Sequence, residues 1–184
     1  MTENKKNVWV FAEQRDGELQ PVVLELLSAA RQISVDLDAQ LTAILFGKNI
    51  KKLPAELADY GAERVIVCDS PEFENYLTEP YTQQLYSLVT EYKPEVLFIG
   101  ATHNGRDLGP RLASRLNTGL TADCTKLDVD AETKELLMTR PAFGGNLMAT
   151  IICPNHRPQM ATVRPGVFKA EERPVKNCEI ITVS

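Results

Sequence analysis

The sequence predicts an α/β domain: a mainly parallel sheet with helices on both faces, plus antiparallel hairpin strands late in the chain. Three observations predict it. Up to Leu116, short continuous apolar runs alternate with segments whose apolar residues recur at helical spacing. That alternation is the signature of β-α units around a parallel sheet. After Gly119 the helical spacing disappears, and strand-like runs follow one another across short polar turns. The length, 184 residues, suits one domain. A chain of that size buries about 70% of its unfolded surface, enough for a core without covalent staples.

The elements follow in order. Residues 8–12 (VWVFA) are a continuous apolar run and predict a buried strand. Asp16-Gly17 marks a turn, and Pro21 suits the first turn of a helix. Val22, Val23, Leu26, Leu27, Ala30 and Ile33 then follow at helical spacing, predicting an amphipathic helix over 21–34. Residues 41–46 predict a second strand ended by Gly47, and 54–60 a short helix stopped by Gly61. Residues 65–68 read as a third strand. Residues 82–92 read as a long helix, with Leu85, Leu88 and Val89 on one side and Pro94 behind it. Residues 96–99 predict a fourth strand and 106–116 the helix after it. Beyond Gly119, strands are expected over 124–130, 135–139, 147–153 and 159–163, as hairpin additions that make the sheet mixed. Residues 171–174 read as a linker and 175–183 as a final strand.

Composition excludes several classes of function. The net charge is −5 and the isoelectric point about 5.2, which argues against binding held by phosphate neutralisation and against an anionic membrane surface. No apolar run approaches the ~20 residues of a membrane span. Residues 1–7 have no apolar stretch behind their charges, so they do not read as a signal peptide. Cys68, Cys124, Cys153 and Cys178 are far apart, and three of them sit in apolar strand-like runs. Buried, reduced thiols and a cytoplasmic location are the expectation.

The chemistry concentrates in two places. The run from Leu97 to Leu112 passes from an apolar strand through Gly100-Ala101-Thr102-His103-Asn104-Gly105 into a helix. Ligands meet parallel α/β folds at such carboxyl ends of strands. Gly100-x-x-x-x-Gly105-Arg106-Asp107 is a near miss to a phosphate-binding loop, which needs Lys and then Ser or Thr after the second glycine. Asp107 there would repel phosphate. A helix cap by Asn104, with Asp107 in the first turn, competes with a contact site for a ligand or subunit. Arg106, Arg111 and Arg115 lie on the predicted helix, the last two on one face: a solvated face, or a docking surface for an acidic partner.

The second place is Thr139-Arg140-Pro141-Ala142-Phe143-Gly144-Gly145-Asn146. Proline holds its predecessor extended, and the chain has four Arg-Pro pairs, at Arg140, Arg157, Arg164 and Arg173. Arg140 precedes a two-glycine turn whose amides can approach a ligand closely, and Arg164 precedes Gly166. Guanidinium groups there suit phosphates, carboxylates or the electron-rich edge of a flavin; ordinary hairpin turns are the plainer reading. Cys153-x-x-His156 is half a metal motif with no second pair. Neither G-x-S-x-G nor G-x-G-x-x-G occurs at the expected places. The two clusters point to a site made from backbone amides and arginines rather than from a catalytic triad or a metal.

The chain as a whole resembles the N-terminal domain of the α-subunit of electron-transfer flavoproteins. The matching stretches are residues 8–13 (VWVFAE), 99–102 (IGAT), and 105–113 (GRDLGPRLA, apart from Gly109). They continue with 119–124 (GLTADC), 139–146 (TRPAFGGN) and 160–168 (MATVRPGVF). The resemblance implies an adenine-nucleotide-binding-like three-layer fold over residues 1–184, packed on a β-subunit. It implies an electron carrier without catalytic residues in this segment, joined to an acyl-CoA-type dehydrogenase or another flavin or iron–sulfur redox partner. FAD belongs to the full heterodimer, carried by a C-terminal domain of the α-subunit. No glycine-rich segment of that kind precedes Ser184, so this segment is expected to lack that domain and to hold no flavin tightly alone. Residues 139–146 look like the form found in members that bifurcate electrons and hold a second FAD in the β-subunit. Toward that flavin the resemblance implies Arg140, Gly144, Gly145, Asn146 and Arg164; toward the partner interface, Arg106, Arg111 and Arg115. Two other readings stay open: a domain binding AMP or ATP, and a stand-alone module that dimerises through its late hairpins.

Overall fold

The structure, a computed structural model, describes residues 5–183. The reading of the charged N-terminus falls partly on residues 1–4, outside the described residues. In chain order the first half contains β1 (Lys6–Phe11), the two-residue ribbon strands β2 (Gln14–Arg15) and β3 (Glu18–Leu19), and α1 (Pro21–Asp36). It continues with β4 (Ala39–Gly47), α2 (Leu53–Asp59), β5 (Arg64–Asp69), α3 (Thr78–Tyr92), β6 (Val96–Gly100) and α4 (His103–Arg115). The second half has β7 (Leu120–Cys124), β8 (Lys126–Val129), β9 (Leu136–Ala142), β10 (Leu147–Ile151), β11 (Gln159–Val163) and β12 (Glu179–Thr182).

Seven strands form one parallel sheet in the order β12-β5-β4-β1-β6-β11-β7. Its central strand explains the unbroken apolar run at 8–12. Side chains alternate across a strand, so Val8, Val10 and Ala12 enter one core cluster, with Leu26, Leu27 and Ile33 of α1. Trp9 and Phe11 enter the other, with Leu85 and Leu88 of α3 and Leu108 and Leu112 of α4. Both faces are covered, as the sequence predicts.

Two helices begin earlier than their spacing suggests. α3 starts at Thr78, with Pro80 inside its first turn. A proline there forfeits only an N–H that has no intrahelical acceptor. The helix ends on Lys93, at φ 49°, directly before Pro94. α4 starts at His103.

The expected mixed sheet is not formed. β7, β11 and β12 join the main sheet in parallel, and the antiparallel pairs stand apart as a three-stranded sheet in the order β10-β9-β8. The reason is topological. β7 and β11 are parallel neighbours, and parallel neighbours need a crossover connection. The small sheet supplies it in place of a helix, burying Leu127, Leu136 and Met138 in the cluster that contains α1. The stretch expected as a linker is likewise pinned. Glu171 N–H donates to Ser28 Oγ at 2.9 Å, and Arg173 and Val175 N–H donate to the carbonyls of Asp59 and Ala58. An extended strap thus carries the chain across α1 and α2 to the far edge of the sheet.

Cys68 and Cys124 are buried, and burial pushes their thiols up to about 11 and about 12. Cys153, expected inside a strand, lies past the end of β10 and is partly exposed, as is Cys178.

Candidate functional site

The chain steps outward from β1 through β4 to β5, then returns to lay β6 on the other side of β1. The carboxyl ends of β1 and β6 therefore form the switch point where this class of sheet takes its ligands. Here that place holds a buried carboxylate. Glu13, 6% exposed, follows β1 and accepts hydrogen bonds from Thr102 Oγ1 at 2.5 Å and Asn104 Nδ2 at 3.1 Å. Thr102 Oγ1 in turn accepts from Gly105 N–H at 3.0 Å and caps α4. The expected Asn104 cap is thus corrected: Asn104 lies within the first turn and serves Glu13. Asp107 accepts hydrogen bonds from the Thr78 and Tyr76 hydroxyls, which hold its carboxyl below the usual carboxylate range. The carboxyl groups of Glu13 at the switch point and Asp107 in the first turn of α4 do not favour a phosphate at this helix start.

Gly105 shows how closely α4 approaches the sheet. A Cβ at this position would lie 1.8 Å from the Gly100 carbonyl oxygen. Only a glycine lets the helix begin there.

The second feature lies at the carboxyl ends of β7 and β11. Asp123 sits near the end of β7 at φ 61°, and its N–H donates to Thr162 Oγ1 of β11 at 2.9 Å. Its Oδ2 accepts from Arg164, just past β11, at 2.6 Å from Nη2 and 3.2 Å from Nε. Arg106 Nη2 of α4 stands 3.7 Å from Oδ1. Arg140 completes the group. Leu136 and Met138 of β9 are buried against the domain, and Arg140, two residues on, points the same way. Arg164 chiefly, then Arg106 and Arg140, hold the Asp123 carboxyl below its usual range. Arg140 Nε and Asp123 Oδ1 are both buried without a hydrogen-bond partner among the described residues. Three guanidinium groups thus face one carboxylate. A chain of net charge −5 concentrates positive charge at this edge, and such a focus attracts anions.

Beside the cluster, β9 turns into β10 through Phe143, Gly144 and Gly145, all at positive φ. The tip is open: Cβ atoms at Gly144 and Gly145 would meet nothing within 4 Å. Phe143 is 86% exposed, Leu147 58% and Met148 57%, with Ile151 and Ile152 also exposed. β10 is the edge strand of its sheet, so it presents unpaired backbone groups together with apolar side chains.

The structure therefore brings Arg140, Arg164 and Arg106 together and places Gly144, Gly145 and Asn146 at the adjacent hairpin tip. Arg111 and Arg115 go elsewhere, to Glu79 of α3 at 3.9 and 2.7 Å, although all three arginines of α4 line one shallow groove with Pro110 and Ser114. Arg157 pairs with Glu95 at the opposite end of the sheet, at 2.6 Å, and Arg173 lies on the strap. Cys153 Sγ donates to the His156 carbonyl. The sequence reading assigned no role to Asp123 or Glu13, and it offered the late hairpins only as a dimerising surface. The available signals were an aspartate inside a strand and a run, LMATII, that lacks the alternation of a half-buried strand. The donors gathered here, guanidinium groups and an open two-glycine turn, fit the electron-rich edge of a flavin.

The fold is a parallel three-layer α/β domain with arginines and backbone amides at its strand ends; among the described residues no group of His, Cys, Asp and Glu is placed to hold a metal ion. Residues 8–184 match the model of the electron transfer flavoprotein domain, and the chain belongs to that family. It is 57% identical over 175 residues to an electron transfer flavoprotein subunit alpha of Clostridium acetobutylicum, covering 95% of this chain and 52% of that protein. It is 46% identical to an acryloyl-CoA reductase electron transfer subunit beta of Anaerotignum propionicum, covering 96% of this chain and 55% of that protein. It is 42% identical to the lactate dehydrogenase (NAD(+),ferredoxin) subunit LctC of Acetobacterium woodii, covering 91% and 40%. The chain spans about half the length of the curated relatives it matches.

Proposed function

We propose that this chain is the N-terminal domain of an electron-transfer flavoprotein α-subunit. It acts as a scaffold that docks on a β-subunit and forms one wall of a flavin site. The observation that carries the reading is the three-arginine cluster around Asp123 beside an exposed apolar edge hairpin. Exposed apolar patches rimmed by polar groups mark partner surfaces, and an uncovered edge strand is a liability that a partner removes.

In this reading the hairpin seats the β-subunit, with the Arg106, Arg111 and Arg115 groove of α4 as a second contact. Arg140 and Arg164, with the amides of Gly144, Gly145 and Asn146, face FAD held by the partner. The flavin supplies the electron-carrying chemistry. The residues of this chain orient its ring, exclude water from one side and place fixed positive charge near its electron-rich edge. In this reading the chain serves as an electron-carrier subunit rather than as the site of catalysis. The names of the acryloyl-CoA reductase and lactate dehydrogenase relatives support an acyl-CoA-type or other redox enzyme as partner; electron bifurcation in the complex and a cytoplasmic setting belong to the same reading. Among the described residues, no helix is long and apolar enough to cross a membrane.

The test is Arg140→Ala in the full heterodimer. The midpoint potential of the β-subunit flavin is expected to fall, because its reduced, negatively charged state loses a cation. An unchanged potential contradicts the flavin-wall reading. The free edge of β10 also suits a second copy of this chain, so a homodimer of the isolated chain in sedimentation would favour a self-associating module instead.

A further inference from the structure

We propose that Asp123 is a positioning residue that sets how much of the arginine cluster's charge reaches the flavin. This rests on the reading that the cluster faces a flavin of the partner subunit. The sequence reading gave Asp123 no role beyond its place in the 119–124 stretch, yet Arg164 and Arg106 both stand against its carboxylate and Arg140 acts on it through space. It is fixed from both sides. Its backbone is held in the left-handed region at φ 61°, with its N–H on Thr162. Its Oδ2 takes both the Nη2 and Nε of Arg164.

The partition of its two oxygens gives the inference its content. Oδ2 is committed to Arg164, so that guanidinium is neutralised and oriented. Oδ1 is buried without a hydrogen bond, 3.7 Å from Arg106 Nη2. The Arg140 Nε is buried without a hydrogen bond as well. A donor and an acceptor left unsatisfied in the same charged cluster are each costly. Asp123 therefore damps the positive charge of the cluster through space, and Arg140 makes no ion pair with it among the described residues.

The experiment uses the complete FAD-loaded heterodimer and reads the midpoint potential of the β-subunit flavin by spectroelectrochemistry. Asp123→Asn keeps the size of the side chain and removes its charge. The expected result is a rise in potential, with about a tenfold gain in preference for the reduced flavin, equivalent to about 30 mV for a two-electron couple. Asp123→Glu retains the charge and is expected to hold the potential near that of the unmodified complex. Asp123→Ser is a second variant, which removes the charge with a smaller polar side chain, and it decides the matter if Asp123→Asn fails to assemble. The same rise in potential is expected of it. No rise with Asp123→Asn in an assembled complex overturns the proposal; if that variant does not assemble, no rise with Asp123→Ser does so. Arg140→Ala measured alongside separates the two levels. A response to Arg140→Ala with none to Asp123→Asn discards only the role of Asp123. No response to either discards the flavin wall itself.

Discussion

Gly105→Ala is expected to cost about 3 kcal/mol or more and to disorganise the start of α4. The added methyl would stand 1.8 Å from the Gly100 carbonyl oxygen, a backbone atom that no rotamer change can move. Overpacking against a side chain costs about 1–3 kcal/mol; a clash with the central sheet belongs at or above the top of that range. The same shift would pull the Gly105 N–H off Thr102 Oγ1, and Thr102 off Glu13. A buried carboxylate would then lose one of its two donors. For a domain of this size each kcal/mol lowers Tm by about 2–4 °C, so a drop of about 6–12 °C is expected in calorimetry. Gly144→Ala is the control. Its Cβ meets nothing within 4 Å, so only the backbone strain of its positive φ remains, about 1–2 kcal/mol.

Leu147→Asp with Met148→Asp is expected to leave the isolated chain as stable as before and to weaken β-subunit binding at least about 100-fold. Both side chains are more than half exposed on the edge strand β10, and exposed substitutions usually move stability by less than about 0.5 kcal/mol. Adjacent residues of a strand point to opposite faces, so the pair spoils both surfaces of the hairpin. Burying either carboxylate without a partner costs several kcal/mol, and about 2.7 kcal/mol already corresponds to 100-fold in Kd. Calorimetric titration of the β-subunit measures the loss, with thermal unfolding of each chain as the stability check. Unchanged binding would place the docking surface elsewhere, with the α4 groove next in line.

Much of the fold was legible because burial on both faces writes itself into the sequence. Residues 8–12, 41–46, 65–68 and 96–99 are apolar without alternation because each strand lies between two helical layers. The late strands were legible as strands but not as partners. Nothing local tells 159–163 that it lies between β6 and β7, while 147–153 leaves the main sheet altogether. Sheet membership is a long-range property, decided by the crossover that joins β7 to β11. The cap at Thr102 was missed for a related reason. Thr102 and Asn104 are both good caps, and Glu13, 89 residues from Thr102 in sequence, decides between them. At the site, Arg140 and Arg164 were visible through their prolines and glycines. The aspartate that gathers them was not, because an Asp in a strand has no meaning until its neighbours are known.

A domain that holds no flavin of its own and completes a flavin site on a partner has a simple optical signature, read in the visible absorption spectrum of the purified chain, alone and then mixed with its β-subunit and FAD. The expected result is a colourless chain that forms a complex and shifts and sharpens the flavin bands of the β-subunit. A chain that is already yellow, with stoichiometric flavin retained through gel filtration, would contradict it and make this domain a flavin carrier in its own right.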